Sequence, residues 1–465
     1  MLRDYYEPDN FFIGIATQAS EMEPVLVRID SILDDEELYQ MVRADMSQRH
    51  ARTIETGRPA TPVEVVLRML AIKHLYNLSY EQTEHQVRDS LVLRHFCRVY
   101  FHDVPDDTTL IRWANQIQPE TLVAFNQRLS QMAYQLKATR GRKLRTDGTV
   151  VESHIGYPSD SKLLADGVRV ISRTLKRLKS KLCDESDLAA TLFRDRTRSA
   201  RNQARRIQRR ARQRSAQAKQ DMQLAYQRLV EVAKVSVRQA QTVVEHLQEH
   251  AGEHQASLVE ELKTLLPKVA QVIDQTVRRV FRGESLPAAE KLVSLFESHT
   301  DIIRRQKPGK ETEFGHMVWL DEVDGGIVTR WQVLSGNPPD VTQWQPAIDY
   351  HIQQFGRPPT QASADRGLYS SQNESYAQKQ GVKRVILPKP GRKSEARRQH
   401  EAQSWFRRGR RFHAGVEGRI SVLKRKHGLD QARYHGENGF ARWVGWGVIA
   451  NNLTKIGTHA TTQTG

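Results

Sequence analysis

Residues 314–335 read FGHMVWLDEVDGGIVTRWQVLS, two alternating β-branched and aromatic runs on either side of Asp324-Gly325-Gly326. That pattern predicts a β-hairpin. Upstream, residues 142–156 (RKLRTDGTVVESHIG) cluster β-branched residues around one Asp–Gly, which predicts a strand with a local turn or bulge. Downstream come a helix (VTQWQPAIDYHIQQFG, 341–356), a strand ending at Asp365 (PTQASAD, 359–365), a helix (SSQNESYAQKQG, 370–381) and a strand (KRVILP, 383–388).

Between the first strand and the hairpin the pattern is helical from 161 to about 304. Within it Met222, Tyr226, Leu229, Ala233, Ser236, Ala240, Val243 and Leu247 step by alternating fours and threes, a heptad seam that fits a coiled coil or a helical hairpin. With this tract set aside, the order is strand, hairpin, helix, strand, helix, strand and C-terminal helices. That order predicts an α/β fold: an RNase-H-like catalytic domain with a large helical insertion after its first strand.

An N-terminal all-helical domain precedes it, for DNA binding or dimerisation. There Pro62 suits a first helical turn after Thr61, Val66, Leu70, Leu75 and Leu78 recur at helical spacing, and Asp106, Asp107 and Thr108 offer caps. Arg94, Arg98 and Trp113 read mainly as packing and surface residues, with DNA contact as the alternative. The expected domains are 1–140 (helical), 141–160 with 305–455 (catalytic), 161–304 (helical insertion) and 456–465 (flexible tail).

The 465 residues carry a formal charge of +17, and mean hydropathy is −0.63. Residues 161–300 hold 27 Lys and Arg against 16 Asp and Glu, and residues 383–433 hold 16 against 4, so the remaining chain is net acidic. Such a balance points to a polyanionic partner. Two cysteines, Cys97 and Cys183, provide neither a disulfide framework nor a CxxC zinc site, which suits a reducing compartment. The start MLRDYYEPDN lacks the features of a signal peptide, and no 18-residue apolar run is present. The expected location is the cytoplasm, without a membrane partner.

Three separated carboxylates carry the chemistry: Asp147 and Asp365 in or beside strands, and Glu417 mid-helix in FHAGVEGRISVLKRKHGL. Acids so placed can converge on divalent metal. Phosphodiester cleavage needs an activated nucleophile, charge neutralisation and leaving-group stabilisation, which two Mg²⁺ ions about 4 Å apart supply. Magnesium takes oxygen ligands and keeps several waters, so a few carboxylates suffice. Competing acids are weaker candidates. Glu152, Asp160 and Asp166 follow Asp147, but the latter two lie past the strand; Asp321 and Asp324 belong to the hairpin; Glu401 and Glu437 miss the helical face of His413 and Lys424.

The chain resembles a DDE-type transposase of a bacterial insertion sequence. The likeness rests on RTDGTVVESHIGYPSDSKLLADGVR, GHMVWLDEVDGGIVTRWQVLSGNPPD, SADRGLYS and the helix around Glu417, and spans about residues 60–455. It implies that Asp147, Asp365 and Glu417 are the catalytic, metal-binding triad, with two Mg²⁺ ions for which Mn²⁺ substitutes. Lys424 matches the family's basic residue two turns beyond the Glu. The chain departs from the common pattern in having His413 where relatives carry Arg, and Arg410 where they carry Tyr; an imidazole lacks guanidinium's bidentate fork.

Two basic clusters read as phosphate contacts. From Arg194 to Arg214 ten arginines occur with one acid, Arg205 and Arg209 among them, and on a helix they cover several faces, which favours nonspecific phosphate contact, with a merely solvated helix as the alternative. Arg392 to Arg411 precedes Glu417, and Arg407, Arg408, Arg410 and Arg411, with His413 and Lys424, are placed at the DNA. Of Trp331, Trp344, Trp405, Trp443 and Trp446, Trp405 ranks first for a DNA contact and the last two read as core. The resemblance implies cleavage of transposon ends and 3′-OH strand transfer into target double-stranded DNA, by a homodimer in the DNA complex. A metal-dependent nuclease without strand transfer and a noncatalytic DNA-binding derivative are the alternatives.

Overall fold

The computed structural model describes residues 1–19, 21–49, 60–180, 194–248, 253–307 and 310–462. Cys183 lies outside them. The chain forms two compact units, Met1–His154 with Gly315–Gly465, and Ile155–Phe314.

The first unit opens with helices α1 (Asn10–Ala19), α2 (Pro24–Leu33), α3 (Glu36–Ser47), α4 (Val63–Leu75), α5 (Tyr80–Asp89), α6 (Leu91–Phe96), α7 (Asp107–Ala114) and α8 (Pro119–Gln135). The start of α7 follows the expected cap chemistry, Asp106 accepting the Thr109 amide at 2.6 Å, whereas α4 begins one residue later than expected, with Pro62 at its N-cap rather than in its first turn and no side-chain cap. Arg94 and Arg98 are turned to internal partners, the Tyr100 carbonyl at 2.8 Å and Asp30 at 3.1 Å, and Trp113 is buried. Cys97 is buried, and burial pushes its thiol up.

Strand β1 (Lys143–Ser153) comes next. Its ladder with β3 (Lys310–Val323) runs unbroken from Leu144↔Val323 to Glu152↔Gly315. The turn or bulge expected at Asp147-Gly148 is therefore absent. Gly148 serves close packing instead, since a Cβ there would lie 2.8 Å from the Trp319 ring.

Strand β4 (Ile327–Val333) completes the expected hairpin through Gly325 and Gly326, at φ +87° and +80°. A register shift falls between Asp321 and Glu322. The carboxylate of Asp324 fixes the approach to β1 by accepting the amides of Arg140, Arg142 and Lys143 at 2.8–3.0 Å.

Helix α13 (Trp344–Phe355), β5 (Gln361–Ser363), α14 (Ser371–Lys379) and β6 (Arg384–Ile386) form two crossovers. The sheet of this unit runs β4-β3-β1-β5-β6: β1, β3 and β4 pair antiparallel, whereas β1, β5 and β6 pair parallel. It is a mixed sheet in a mostly helical α/β chain. Helices α15 (Glu395–Ala402) and α16 (Ser404–His427) lead to a short strand, β7 (Gln431–Ala432), parallel to the end of β1, and to α17 (Gly436–Thr462).

Helix α17 packs on α2, α4, α8 and β4. A buried amide network joins these layers: Asn126 donates to the Val328 and Thr329 carbonyls at 3.1 Å, and Asn452 donates to Asn126 at 2.8 Å and accepts the Val328 amide at 2.9 Å. The helix continues through most of the segment expected as a tail, because Ile456 is buried and Gly457 lies against Val25 and Ile29.

The second unit is a helical bundle of α9 (Asp160–Lys179), α10 (Thr197–Arg210), α11 (Ala216–Gln248) and α12 (Glu253–Thr276). The heptad seam of α11 faces inward: Leu229, Ala233, Ala240 and Leu247 share one core with residues of α9, α10 and α12. Helical character ends sooner than expected. After α12 and a π-turn at Val277–Phe281 the chain becomes irregular, and Asp301–Lys307 is a strand, β2, paired to β3. DIIRRQK carries too many charges to announce itself as a strand, and its partner supplies the order. Among the described residues no helix is long and apolar enough to cross a membrane.

Candidate active site

Helix α16 positions the site. Its residues Phe406, Gly409, Val416, Leu423 and His427 are buried, a stripe at steps of three, four or seven that also contains His413. The stripe crosses three strands in turn. At β6, a Cβ on Gly409 would lie 2.4 Å from Ile386; at β5, His413 meets the Ser363 backbone; at β1, Arg145 donates to the Phe412 carbonyl at 2.5 Å and Lys424 Nζ donates to the Val150 carbonyl at 2.7 Å.

Those two β1 contacts locate Glu417 relative to Asp147. A strand advances about 3.3 Å per residue and a helix about 1.5 Å. Arg145 to Val150 thus spans about the same length as Phe412 to Lys424, and Asp147 comes level with about the fourth or fifth helical residue beyond Phe412. Asp365 approaches from the neighbouring strand. Register pairs Arg145 with Ser363, and two residues on from each pair member stand Asp147 and Asp365.

The three acids differ in setting. Asp147 is half-buried and accepts the Gly148 amide at 2.8 Å. Asp365 is exposed and caps the turn Arg366–Leu368 by accepting the Gly367 amide at 2.8 Å. Glu417 is exposed on the helix. His413 links two of them electrostatically. Burial holds its imidazole below the ordinary value; Asp365 opposes this, Arg145 reinforces it, and Glu417 and the Ser363 backbone oppose it. Its Nδ1 is buried without a hydrogen-bond partner among the described residues.

A buried charge network stiffens the face of β1 that bears Asp147. Glu322, 1% exposed, accepts two hydrogen bonds from Arg145 at 2.6 and 2.8 Å and one from Arg419 at 3.2 Å; Arg419 also reaches Asn451 at 3.1 Å. This residue was not singled out in the sequence, where it is one acid of a hairpin. Its signal was the alternation that places it opposite Arg145. Asp340 was missed too: a Cβ on Gly367 would lie 3.1 Å from Asp365 Oδ1 and 3.6 Å from Asp340 Oδ2.

Most of the competing acids are committed elsewhere. Asp321, on the opposite face of the strand from Glu322, is held by Thr146 at 2.5 Å and Arg330 at 3.0 Å, and burial pushes its carboxyl up. Glu401 is enclosed by Lys393, Arg397 and the Lys389 amide; burial alone would raise its carboxyl, and these three donors hold it below the usual range. Asp160 pairs with Arg279 at 2.8 Å in the second unit, and Asp166 with Arg169 at 3.1 Å. Glu152 is half-buried near the end of β1, and Glu437 stands in the first turn of α17.

Arg407, Arg408, Arg410 and Arg411 are exposed on the first half of α16. Lys424 is half-buried against β1 rather than extended into solvent. All seven tryptophans are described, and Trp405 alone is not buried; it packs edge-on against His400 at 5.3 Å. Arg205 and Arg209 are exposed on α10, in the other unit.

Among the described residues no three His, Cys, Asp or Glu side chains already form a closed metal cage. The donor chemistry of Asp147, Asp365 and Glu417, all hard carboxylate oxygens, nevertheless suits a cation such as Mg²⁺ that retains much of its water.

Comparison with known proteins agrees with this architecture at both ends of the chain. Residues 16–116 match a transposase domain family (DUF772), and residues 371–457 match a transposase DDE domain family. The second match contains Glu417, His413 and Lys424, whereas Asp147, Asp365 and the helical bundle lie outside both. An uncharacterised protein, ORF8 in the nfe locus of Rhizobium meliloti, is 27% identical over 127 residues, covering 26% of this chain and 61% of that protein. No solved structure matches. Taken together, the two family matches support a DDE-type transposase of an insertion sequence.

Proposed function

We propose that this transposase hydrolyses the phosphodiester at transposon ends, freeing a 3′-OH that attacks target DNA at the same site. The observation that carries the reading is the path of α16, which is tied to β1 on both sides of Glu417, at Phe412 and Lys424, while His413 sits under the influence of both Asp365 and Glu417. The sheet order, three antiparallel strands followed by two parallel ones across β1, supports an RNase-H-like catalytic domain.

Asp147, Asp365 and Glu417 would hold the divalent cations. When bound, such ions supply charge neutralisation at the transferring phosphoryl group and lower the pKa of water. The remaining roles belong to the chain. Arg145, Glu322 and Arg419 fix the spacing of β1 and α16, so that two of the acids are held on rigid elements. Exposed Arg407, Arg408, Arg410 and Arg411 contact backbone phosphates leading to the scissile bond. Trp405 offers a partly exposed ring to an unpaired base. Lys424 acts from its seat on β1, placing positive charge two helical turns from Glu417. His413 contributes a neutral ring where a guanidinium would clamp phosphate. No covalent protein–DNA intermediate is involved.

The partner is double-stranded DNA, and the active complex is a homodimer. The seam of α11 does not supply that dimer contact, since it is spent inside the bundle. The test incubates purified protein and Mg²⁺ with labelled terminal-repeat DNA and a target plasmid. Joined products are expected. Cut ends without joining would reduce the protein to a nuclease, and binding alone to a noncatalytic derivative. Light scattering across a concentration series, with and without end DNA, tests the dimer.

A further inference from the structure

Within the second unit a groove of about 520 Å³ lies between α10 and α11. One wall is Gln203, Arg206, Arg209, Arg210 and Gln213; the other is Asp221, Leu224, Ala225 and Arg228. Each wall is built on one helical face, with residues recurring at steps of three or four, and Gln213 extends the first wall just past the end of α10. Four arginines therefore share this cleft with one acid.

The acid is already taken. Asp221 pairs with Arg210 at 3.1 Å, and Arg210 also donates to Gln213 at 2.8 Å, so this pair closes one end of the groove. Arg206, Arg209 and Arg228 are exposed, and among the described residues they have no carboxylate partner. Arg206 and Arg209, one turn apart, repel each other. The Gln203 Oε1 is buried with no hydrogen-bond partner, and a half-turn of its amide presents a donor there instead. A cleft with three uncompensated guanidiniums and an unsatisfied amide is a receptor for an anion that is large and multiply charged.

We infer that the α10–α11 groove is a sequence-independent seat for the DNA phosphate backbone, which gives the helical bundle a direct part in holding DNA. Guanidinium forks match phosphate oxygens in pairs. Among the described residues no aromatic side chain lines the groove for bases to stack on, and the contacts it offers are to backbone. This inference rests on the reading that the chain acts on DNA, and it concerns residues remote in sequence from the carboxylates.

The test uses the full-length protein. Binding of fluorescent duplexes is measured by anisotropy across a salt series for the parent and for Arg206→Ala/Arg209→Ala/Arg228→Ala. Loss of three phosphate contacts flattens the slope of log K against log salt by about 2.7, and does so equally for terminal-repeat and unrelated duplexes. The corresponding Lys triple variant keeps most of the slope. In the parent, modification of these arginines by a glyoxal reagent, read by mass spectrometry, is slowed by saturating duplex. An unchanged slope in the Ala variant, or equal modification with and without DNA, overturns the inference; the second measurement decides even if the variant misfolds. A loss confined to terminal-repeat DNA overturns the sequence-independent form. End cleavage by Glu417→Gln reports on the carboxylate site separately, so either reading can fail without the other.

Discussion

Two stretches of this chain carry nearly the same excess of positive charge, yet the fold treats them differently. Around α15 and α16 much of the charge is internally matched: Arg397 bridges Glu374 and Glu401, Lys393 reaches Glu401, Arg398 pairs with Glu395, and Arg419 joins Glu322. On α10 the arginines outnumber acids so far that, among the described residues, Arg210–Asp221 is the one side-chain ion pair of that helix. Matched charge beside the carboxylates positions a helix against a sheet. Unmatched charge on the bundle is left without an internal partner among the described residues. Counting arginines would not have separated these jobs.

The sharpest way to break the comparison is at Glu417. Glu417→Gln should lower Mg²⁺-dependent end cleavage at least about a thousandfold, the scale set by several kcal/mol of transition-state stabilisation, with duplex binding retained. Asp147→Asn and Asp365→Asn should match it. Normal cleavage by any one of them removes that residue from the site.

Next comes the buried network. Glu322→Ala leaves Arg145 and Arg419 without their shared carboxylate and should cost about 3–5 kcal/mol in urea unfolding. All seven tryptophans lie in the first unit, so their fluorescence follows that unit specifically. A cost below about 1 kcal/mol would show that water replaces the carboxylate there.

Acid should act on the same unit. Burial holds His351 and His427 down at about 4, against 6.5 for the free side chain. With folded values depressed, their contribution is complete above about pH 6.5 and is lost as pH falls through 4, on the order of 3 kcal/mol each. Replacing both by Gln should flatten the stability profile between those limits; an unaltered profile would assign the acid sensitivity to other groups.

The smallest effect sharpens the contrast itself. Arg397→Ala removes bonds to two acids and should cost about 1–3 kcal/mol, whereas Arg209→Ala, exposed and unpaired, should change stability by about 0.5 kcal/mol or less. Equal costs at the two positions would erase the distinction between paired and unpaired charge.

Much of the fold around the candidate site was legible because its parts are local signals. Alternation marked β1 and the β3–β4 hairpin, cap chemistry marked α4 and α7, and the spacing of His413, Glu417 and Lys424 put them on neighbouring faces of one helix. Other parts depended on partners far away in sequence. Asp147-Gly148 looks like a turn, and stays in a strand because Trp319 needs the room. The strand β2 has no pattern of its own, and Glu322 gains its meaning from Arg145 and Arg419.

By itself the sequence determined the order of strands and helices, the long helical tract within it and the acids worth weighing, because periodicity and turn residues act over a few neighbours. Tertiary structure alone decided that α16 crosses β6, β5 and β1 in turn, which acids are consumed by arginines, and which arginines are left uncompensated. Those outcomes depend on the distance between side chains hundreds of residues apart, and charge pairing in a partly desolvated interior is decided by distance.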